Sequence, residues 1–311
     1  MKTTKCLVLG VTASGKGSLA FNLARETDSE IISVDSMKVY RRMDIGTAKP
    51  SREAREVIHH HMIDILEPSE SFNVAMFCKQ ALSSIEAIHK RAKSVIAVGG
   101  TALYIKALLY GLFEGPGADE QVREALEQRI SRQGLADLYR ELQDIDPQAA
   151  GMISHHDRRR IVRALEVYQL TGLPISRFQR QFTSEACLDN WTVIGIRREK
   201  DLENRRINTR VKKMIQAGLV DEVKALLAEE KPLSQQAAVA IGYAEIIAML
   251  RGEMDLDTAV EKIKINTRRL AKSQRTWYKT FPFIHWLDID EHTPAKIISE
   301  MALNIWNKSG Q

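Results

Sequence analysis

Three observations on this 311-residue sequence predict an α/β fold, a parallel sheet core flanked by helices, with an inserted helical domain. Short apolar runs recur early in the chain, each closing on glycine or aspartate and separated by helical stretches. A glycine-rich segment follows the first run directly. After residue 115 the strand pattern stops, and polar helical sequence continues to residue 189. The expected core is therefore 1–115 with 190–311, and the expected insertion is 116–189.

The first run, Cys6-Leu7-Val8-Leu9, ends at Gly10, and the second, Ile31-Ile32-Ser33-Val34, ends at Asp35. The third, Val95 to Val98, runs into Gly99-Gly100. Ligands of doubly wound sheets bind beyond the carboxyl ends of the strands. Gly10, Asp35 and Thr101 therefore mark the expected site. Glu114-Gly115-Pro116-Gly117 breaks the pattern, and Trp191 to Ile196 resumes it. Farther on, Ile207, Val211, Met214 and Ile215 repeat as one apolar helix face, flanked by Arg206, Arg210 and Lys213 and interrupted at Gly218. Lys264, Arg268, Lys272, Arg275 and Lys279 then form a basic stripe, with Val260, Ile263, Leu270 and Trp277 expected to face the core.

Composition sets outer bounds. A hydrophobic content of 44% and a charged content of 27% suit a soluble globular protein with a sizeable core. Cys6, Cys78 and Cys187 are too scattered for a zinc site, and Cys6, in an apolar run, reads as a buried reduced thiol. Neither a signal pattern nor a membrane-length apolar run is visible, so a cytoplasmic protein without membrane contact is expected. The net charge of +5 and the cluster Arg158, Arg159, Arg160 and Arg163 tilt toward an anionic partner. His59, His60 and His61 are adjacent, with no further ligands recurring nearby in sequence, and are expected to be structural or surface residues.

Gly10-Val11-Thr12-Ala13-Ser14-Gly15-Lys16 fits G-x-x-x-x-G-K between a strand and a helix, which makes the core P-loop NTPase-like. Gly10, Thr12, Ala13, Ser14, Gly15, Lys16 and Gly17 are the expected cradle for a diphosphate, through backbone N–H groups, a helix N-terminus and one ammonium. The usual hydroxyl after the lysine is missing, because that residue is Gly17. Ser18 is a weak candidate for the metal, since one helical step rotates it by about 100°. The loop by itself says diphosphate or triphosphate, and a nucleotide kinase would satisfy it equally.

Further stretches discriminate. They are Asp35-Ser36-Met37-Lys38-Val39-Tyr40, Asp44-Ile45-Gly46-Thr47-Ala48-Lys49-Pro50, His61-Met62-Ile63-Asp64 and Gly99-Gly100-Thr101-Ala102-Leu103-Tyr104. Later come Asp157 to Glu166, Ile241-Gly242-Tyr243 and Thr267 to Trp277. In this order the set resembles the tRNA dimethylallyltransferase, or IPP transferase, family across nearly the whole chain.

The resemblance implies transfer of a dimethylallyl group from dimethylallyl diphosphate to the N6 amine of the adenosine beside the anticodon of tRNA. It implies Asp35 as general base, with Lys16 and either Arg206 or Arg210 on the diphosphate. Asp35, Ser36, Met37, Lys38, Thr101, Arg123, Arg159, Arg160, Arg163, Gly242, Tyr243, Arg268, Lys272, Gln274 and Trp277 would meet the tRNA anticodon stem-loop. Mg²⁺ would bridge diphosphate oxygens, and the enzyme would act as a monomer. The chain departs from the family pattern at Val11, Gly17, Lys38 and Ser273, where proline, threonine, glutamine and arginine are usual. It lacks the cysteine-containing zinc module of some eukaryotic members, so a bacterial-type or organelle-type protein is expected. Two other readings stay open: a relative that prenylates free adenine nucleotides, and a tRNA-binding relative that Gly17 has disabled.

Overall fold

A computed structural model describes residues 4–112, 115–178 and 191–309. Glu114 and Cys187 lie outside them. The chain divides into two compact units, Met1–Leu109 with Asp189–Gln311, and Tyr110–Leu188.

The first unit begins with β1 (Lys5–Gly10), α1 (Lys16–Glu26), β2 (Glu30–Val34), α2 (Arg52–Val57) and β3 (His60–His61). Next come α3 (Val74–Lys90), β4 (Val95–Gly99) and α4 (Ala102–Tyr110). The second unit holds α5 (Glu120–Gln133), α6 (Leu135–Ile145), α7 (Pro147–Met152), α8 (Arg158–Thr171) and α9 (Ile175–Phe178). The first unit then resumes with β5 (Trp191–Arg197), α10 (Lys200–Gln216), α11 (Leu219–Leu227), α12 (Gln235–Ala238) and α13 (Tyr243–Leu250). It closes with α14 (Leu256–Tyr278), β6 (His285–Asp288) and α15 (Ala295–Ser309).

The six strands form one parallel sheet in the order β3-β2-β4-β1-β5-β6. Strand β1 lies between β4 and β5, with Lys5 level with Val95 on one side and Trp191 on the other. Its side chains alternate between faces. Cys6 and Val8 pack with Leu19 and Leu23 of α1 and with Ile298, Ala302 and Trp306 of α15. Leu7 and Leu9, also fully buried, face the opposite way. This packing fixes the carboxyl ends of β1, β2 and β4 as one edge, from which the expected site residues emerge.

Strands β3 and β6 escape the sequence reading because they are short and polar, His60–His61 and His285–Asp288. At sheet edges hydrogen bonding suffices without an apolar run. In α14 the expected inward face is displaced by one residue. Leu270 is 40% exposed, while Ala271, Gln274 and Tyr278 are buried with Ile263. The basic stripe is also less uniform than its spacing suggests. Lys264 is buried against Glu261, Arg268 donates to Asn208 Oδ1 at 2.8 Å, and Arg275 pairs with buried Glu203. Arg269, Lys272 and Lys279 remain exposed.

The second unit has its own core, built on Leu126, Leu138, Leu142, Ile161 and Leu165. Asp119, Asp146 and Asp157 cap α5, α7 and α8, each accepting from an N–H in the first turn. Glu166 is completely buried, yet its carboxylate is fully engaged. Arg123 donates to both oxygens at 2.8 and 3.2 Å, Arg163 to one at 2.6 Å, and the Asp119 N–H to the other at 2.8 Å. Arg163 also reaches the carbonyls of Pro116 and Gly117.

Candidate active site

The loop from Gly10 to Lys16 joins β1 to α1 and is braced from outside. Gly15 adopts φ +101°, a left-handed conformation that glycine enters without steric cost, and α1 starts there. Tyr278 Oη donates to the Gly10 carbonyl at 3.0 Å, Arg206 Nε to Ala13 O at 2.8 Å, and Arg198 Nε to Ser14 O at 2.9 Å. Gln274 bridges two strand ends: its Oε1 accepts from Thr12 N and its Nε2 donates to Gly100 O, both at 2.8 Å. Two N–H groups expected on the diphosphate are therefore engaged internally, Thr12 with Gln274 and Ser14 with Val11 O. Gly15, Lys16 and Gly17 lie at the open first turn of α1, where helix N–H groups lack intrahelical partners. Lys16 Nζ rests on Val11 O at 3.1 Å.

Asp35 follows β2. Its Oδ1 accepts from Met37 N at 2.9 Å and Lys38 N at 3.3 Å, forming a tight turn, and Thr101 Oγ1 accepts from Ser36 N at 3.2 Å. The second carboxylate oxygen accepts no hydrogen bond among the described residues. Lys16, Lys38 and Arg210 all lie close enough to interact with the Asp35 charge. Among the described residues the Lys38 ammonium and the Arg210 guanidinium make no hydrogen bond or ion pair. The geometry thus separates two arginines that lie one turn apart on α10. Arg206 braces the loop backbone, whereas Arg210 is half-buried beside Asp35 with its donors free.

Burial, reinforced by the neighbouring Arg210 and Lys38 charges and opposed by Asp35, lowers the Lys16 pKa to about 7. An anion in the loop restores the ammonium, so diphosphate binding above neutrality takes up a proton and weakens as pH rises. Calorimetric titration of diphosphate near pH 8 in two buffers of different ionisation enthalpy should register uptake of about one proton. Binding without proton uptake would contradict this electrostatic reading.

The segment after Asp35 is anchored by a residue that sequence reading missed. Glu222 of α11 accepts from the N–H groups of Asp44, Ile45 and Gly46 at 2.9, 2.7 and 3.2 Å, and from Tyr243 Oη at 2.6 Å. A side chain at position 46 would meet the Tyr243 ring at 2.4 Å, which requires glycine there. Lys49, with only 2% of its side chain exposed, joins Asp44, Asp64 and the Tyr40 carbonyl. The run from Asp44 to Pro50 is thus a strut beside the Asp35 turn, tied to it through Lys49, Asp64 and the Lys38 carbonyl.

Several residues expected to face RNA have other partners. Tyr243 is fully buried under Gly46, and the Gly242 N–H donates to Glu245. Gln274 is 6% exposed, with both ends of its amide engaged. Arg123 and Arg163 hold Glu166. Arg160 pairs with Asp157 at 3.3 Å on the surface. Arg159 and Lys272 are exposed, and Ser36, Met37, Thr101 and Trp277 are half-buried.

Glu30, His59 and His61 place ligand atoms within 4.8 Å of one another, a group capable of holding a metal. The histidine run does therefore have a partner, supplied by the adjacent strand rather than by nearby sequence. Glu30 is already bound by Arg91 at 2.7 and 3.0 Å and by His61 at 2.8 Å. Burial would raise its pKa, but those hydrogen bonds outweigh it and pull the carboxyl down to about 2. The imidazole donors do not suit Mg²⁺, which prefers oxygen. The phosphate loop lacks the usual metal-holding hydroxyl after its lysine, and its buried Ser14 Oγ, without a hydrogen-bond partner among the described residues, is a single neutral donor. Gly17 offers no oxygen, Ser18 is exposed, and Asp35 is surrounded by cations.

Residues 38–281 match the family model described as IPP transferase. A tRNA dimethylallyltransferase of Geobacter metallireducens is 46% identical over 291 residues, covering 92% of this chain and 93% of that protein. The solved tRNA isopentenylpyrophosphate transferase of Bacillus halodurans is 37% identical, with TM-score 0.72 and coverage of 99% and 98%. A eukaryotic dimethylallyltransferase acting on tRNA is 26% identical, with TM-score 0.81 and coverage of 97% and 78%. Among the described residues, no helix is long and apolar enough to cross a membrane. With its phosphate loop, its strand-end aspartate and matches that span almost all of its length, this chain belongs to the IPP transferase family.

Proposed function

We propose that the chain is a tRNA dimethylallyltransferase, moving a dimethylallyl group from its diphosphate to the N6 amine of the adenosine beside the anticodon. The observation that carries this reading is the meeting of one carboxylate oxygen and three cations with free donors beyond the ends of β1 and β2. Bond formation from nitrogen to the allylic carbon needs a proton acceptor on one side and a charge acceptor on the other. The free oxygen of Asp35 takes the amine proton as the C–N bond forms. The allylic C–O bond breaks with its electron pair going to the diphosphate, whose growing charge faces Lys16, Arg210 and the first turn of α1. Arg206 and Arg198 act on this step indirectly, by holding the loop in shape.

Exposed Arg159 and Lys272 are proposed phosphate contacts, which position RNA without selecting the base. Thr101, through Ser36, keeps the Asp35 turn in register. No step here passes through Mg²⁺, for which the usual hydroxyl after the loop lysine is replaced by Gly17. Incubating the protein with dimethylallyl diphosphate and either unmodified tRNA or AMP separates the acceptors. Prenylated adenosine should appear in digested tRNA and not in AMP. Product from AMP alone would move the chain to the free-nucleotide class.

A further inference from the structure

A P-loop normally meets phosphate charge in two ways, through its lysine and through a metal held by the hydroxyl that follows. Here the second way is missing. A Cβ built on Gly17 meets nothing within 4 Å, so no neighbouring side chain has filled the place of the lost hydroxyl. The charge must be met from another direction.

Arg206 and Arg198 bring guanidinium nitrogens within 3.8 Å of a Cβ built on Gly15, but both already brace the loop backbone. Lys38, whose charge acts on Lys16, is a further cation with no partner among the described residues. Its backbone is held at both ends of the peptide, the N–H on Asp35 Oδ1 at 3.3 Å and the carbonyl on Asp64 N at 3.3 Å. The side chain is half-buried, and its ammonium makes no hydrogen bond or ion pair among the described residues. It shares the Asp35 neighbourhood with Lys16 and Arg210. The other buried lysine nearby, Lys49, is satisfied by two carboxylates, which makes the contrast plain. One carboxylate stands among three basic side chains, and an anion bound beside them would favour the charged form of both lysines. Burial, together with Arg210 and Lys49 and opposed by Asp35, lowers the Lys38 pKa, as expected of a cation short of counter-charge.

We propose that Lys38 takes the part of the missing loop-bound metal, so that Lys16, Arg210 and Lys38 together neutralise the diphosphate and its binding depends little on Mg²⁺. The inference rests on the reading of this site as a diphosphate site. It makes Gly17 and Lys38 a linked pair: the chain lacks a metal-holding hydroxyl where it has gained a cation.

The test is calorimetric titration of inorganic diphosphate into the natural protein, Lys38→Gln, Gly17→Thr and the double variant, each with EDTA and with saturating Mg²⁺. Thermal melts establish that each variant is folded. The natural protein should bind within about threefold under the two conditions, while Lys38→Gln in EDTA should weaken by about tenfold or more, as expected for losing a charge-assisted hydrogen bond. Mg²⁺ should restore binding to the double variant, which regains a hydroxyl, and not to Lys38→Gln alone. A natural protein that loses tenfold or more on removal of Mg²⁺ overturns the proposal. So does Lys38→Gln binding as well as the natural protein in EDTA, which would make Lys38 an RNA contact instead. If the natural protein binds diphosphate under neither condition, the diphosphate reading of the site fails, and the proposal fails with it.

Discussion

Asp35→Asn is expected to lower kcat by about 10²–10⁴-fold, equivalent to roughly 3–5 kcal/mol, while tRNA affinity changes little. Asparagine is the informative replacement because of how the turn is built. Its amide oxygen can still accept from Met37 N and Lys38 N, as Oδ1 does now, so the backbone geometry is retained. What it loses is the capacity to take a proton. Asp35→Ala removes both functions and should be slower still, with some loss of folding stability. The comparison separates a base from a structural cap. If Asp35→Asn keeps more than about a third of kcat while Asp35→Ala is inactive, Asp35 is holding the turn and not taking the proton.

The largest stability effect is expected in the second unit. Glu166 is wholly buried and carries its charge because Arg123 and Arg163 clamp it. Replacing both arginines with alanine leaves a buried carboxylate with a single N–H partner, and should cost about 3–5 kcal/mol. Glu166→Gln should cost less, since the arginines are partly exposed and can turn to water. Urea unfolding of the three proteins measures the difference. If the double alanine variant is no less stable than Glu166→Gln, the two arginines are not structural, and their assignment to RNA regains its footing.

How much of this was legible in sequence depends on what each residue's neighbours are. The positions of the phosphate loop and of Asp35 could be read because each follows from local sequence, a glycine-rich turn after β1 and an aspartate at the end of β2. Arg206 and Arg210 could not be separated, since residues one turn apart share a helix face and only the tertiary fold shows which one braces the loop. Gln274 is a tRNA contact only as the family resemblance implies it. Its polarity instead serves the backbone of two buried strand ends, a demand that hydropathy patterns do not register. Arg123 and Arg163 drew a functional reading for the same reason: a buried glutamate partner is invisible in a linear pattern. Glu222 was missed because it lies 178 residues from Asp44, whose N–H it binds, and nothing local marks it. The strands β3 and β6 are edge pieces with too few apolar residues to declare themselves.

On the function proposed above, this site prenylates one particular tRNA base. The most direct measurement uses two transcripts of one tRNA, with adenosine or guanosine at the position beside the anticodon, each incubated with dimethylallyl diphosphate and the protein. Nucleosides from the digested RNA are then identified by mass spectrometry. N6-isopentenyladenosine from the adenosine transcript and none from the guanosine transcript is the expected result. Equal product from both would place the modification elsewhere in the RNA, and no product from either, with diphosphate still bound, would contradict catalysis by this chain.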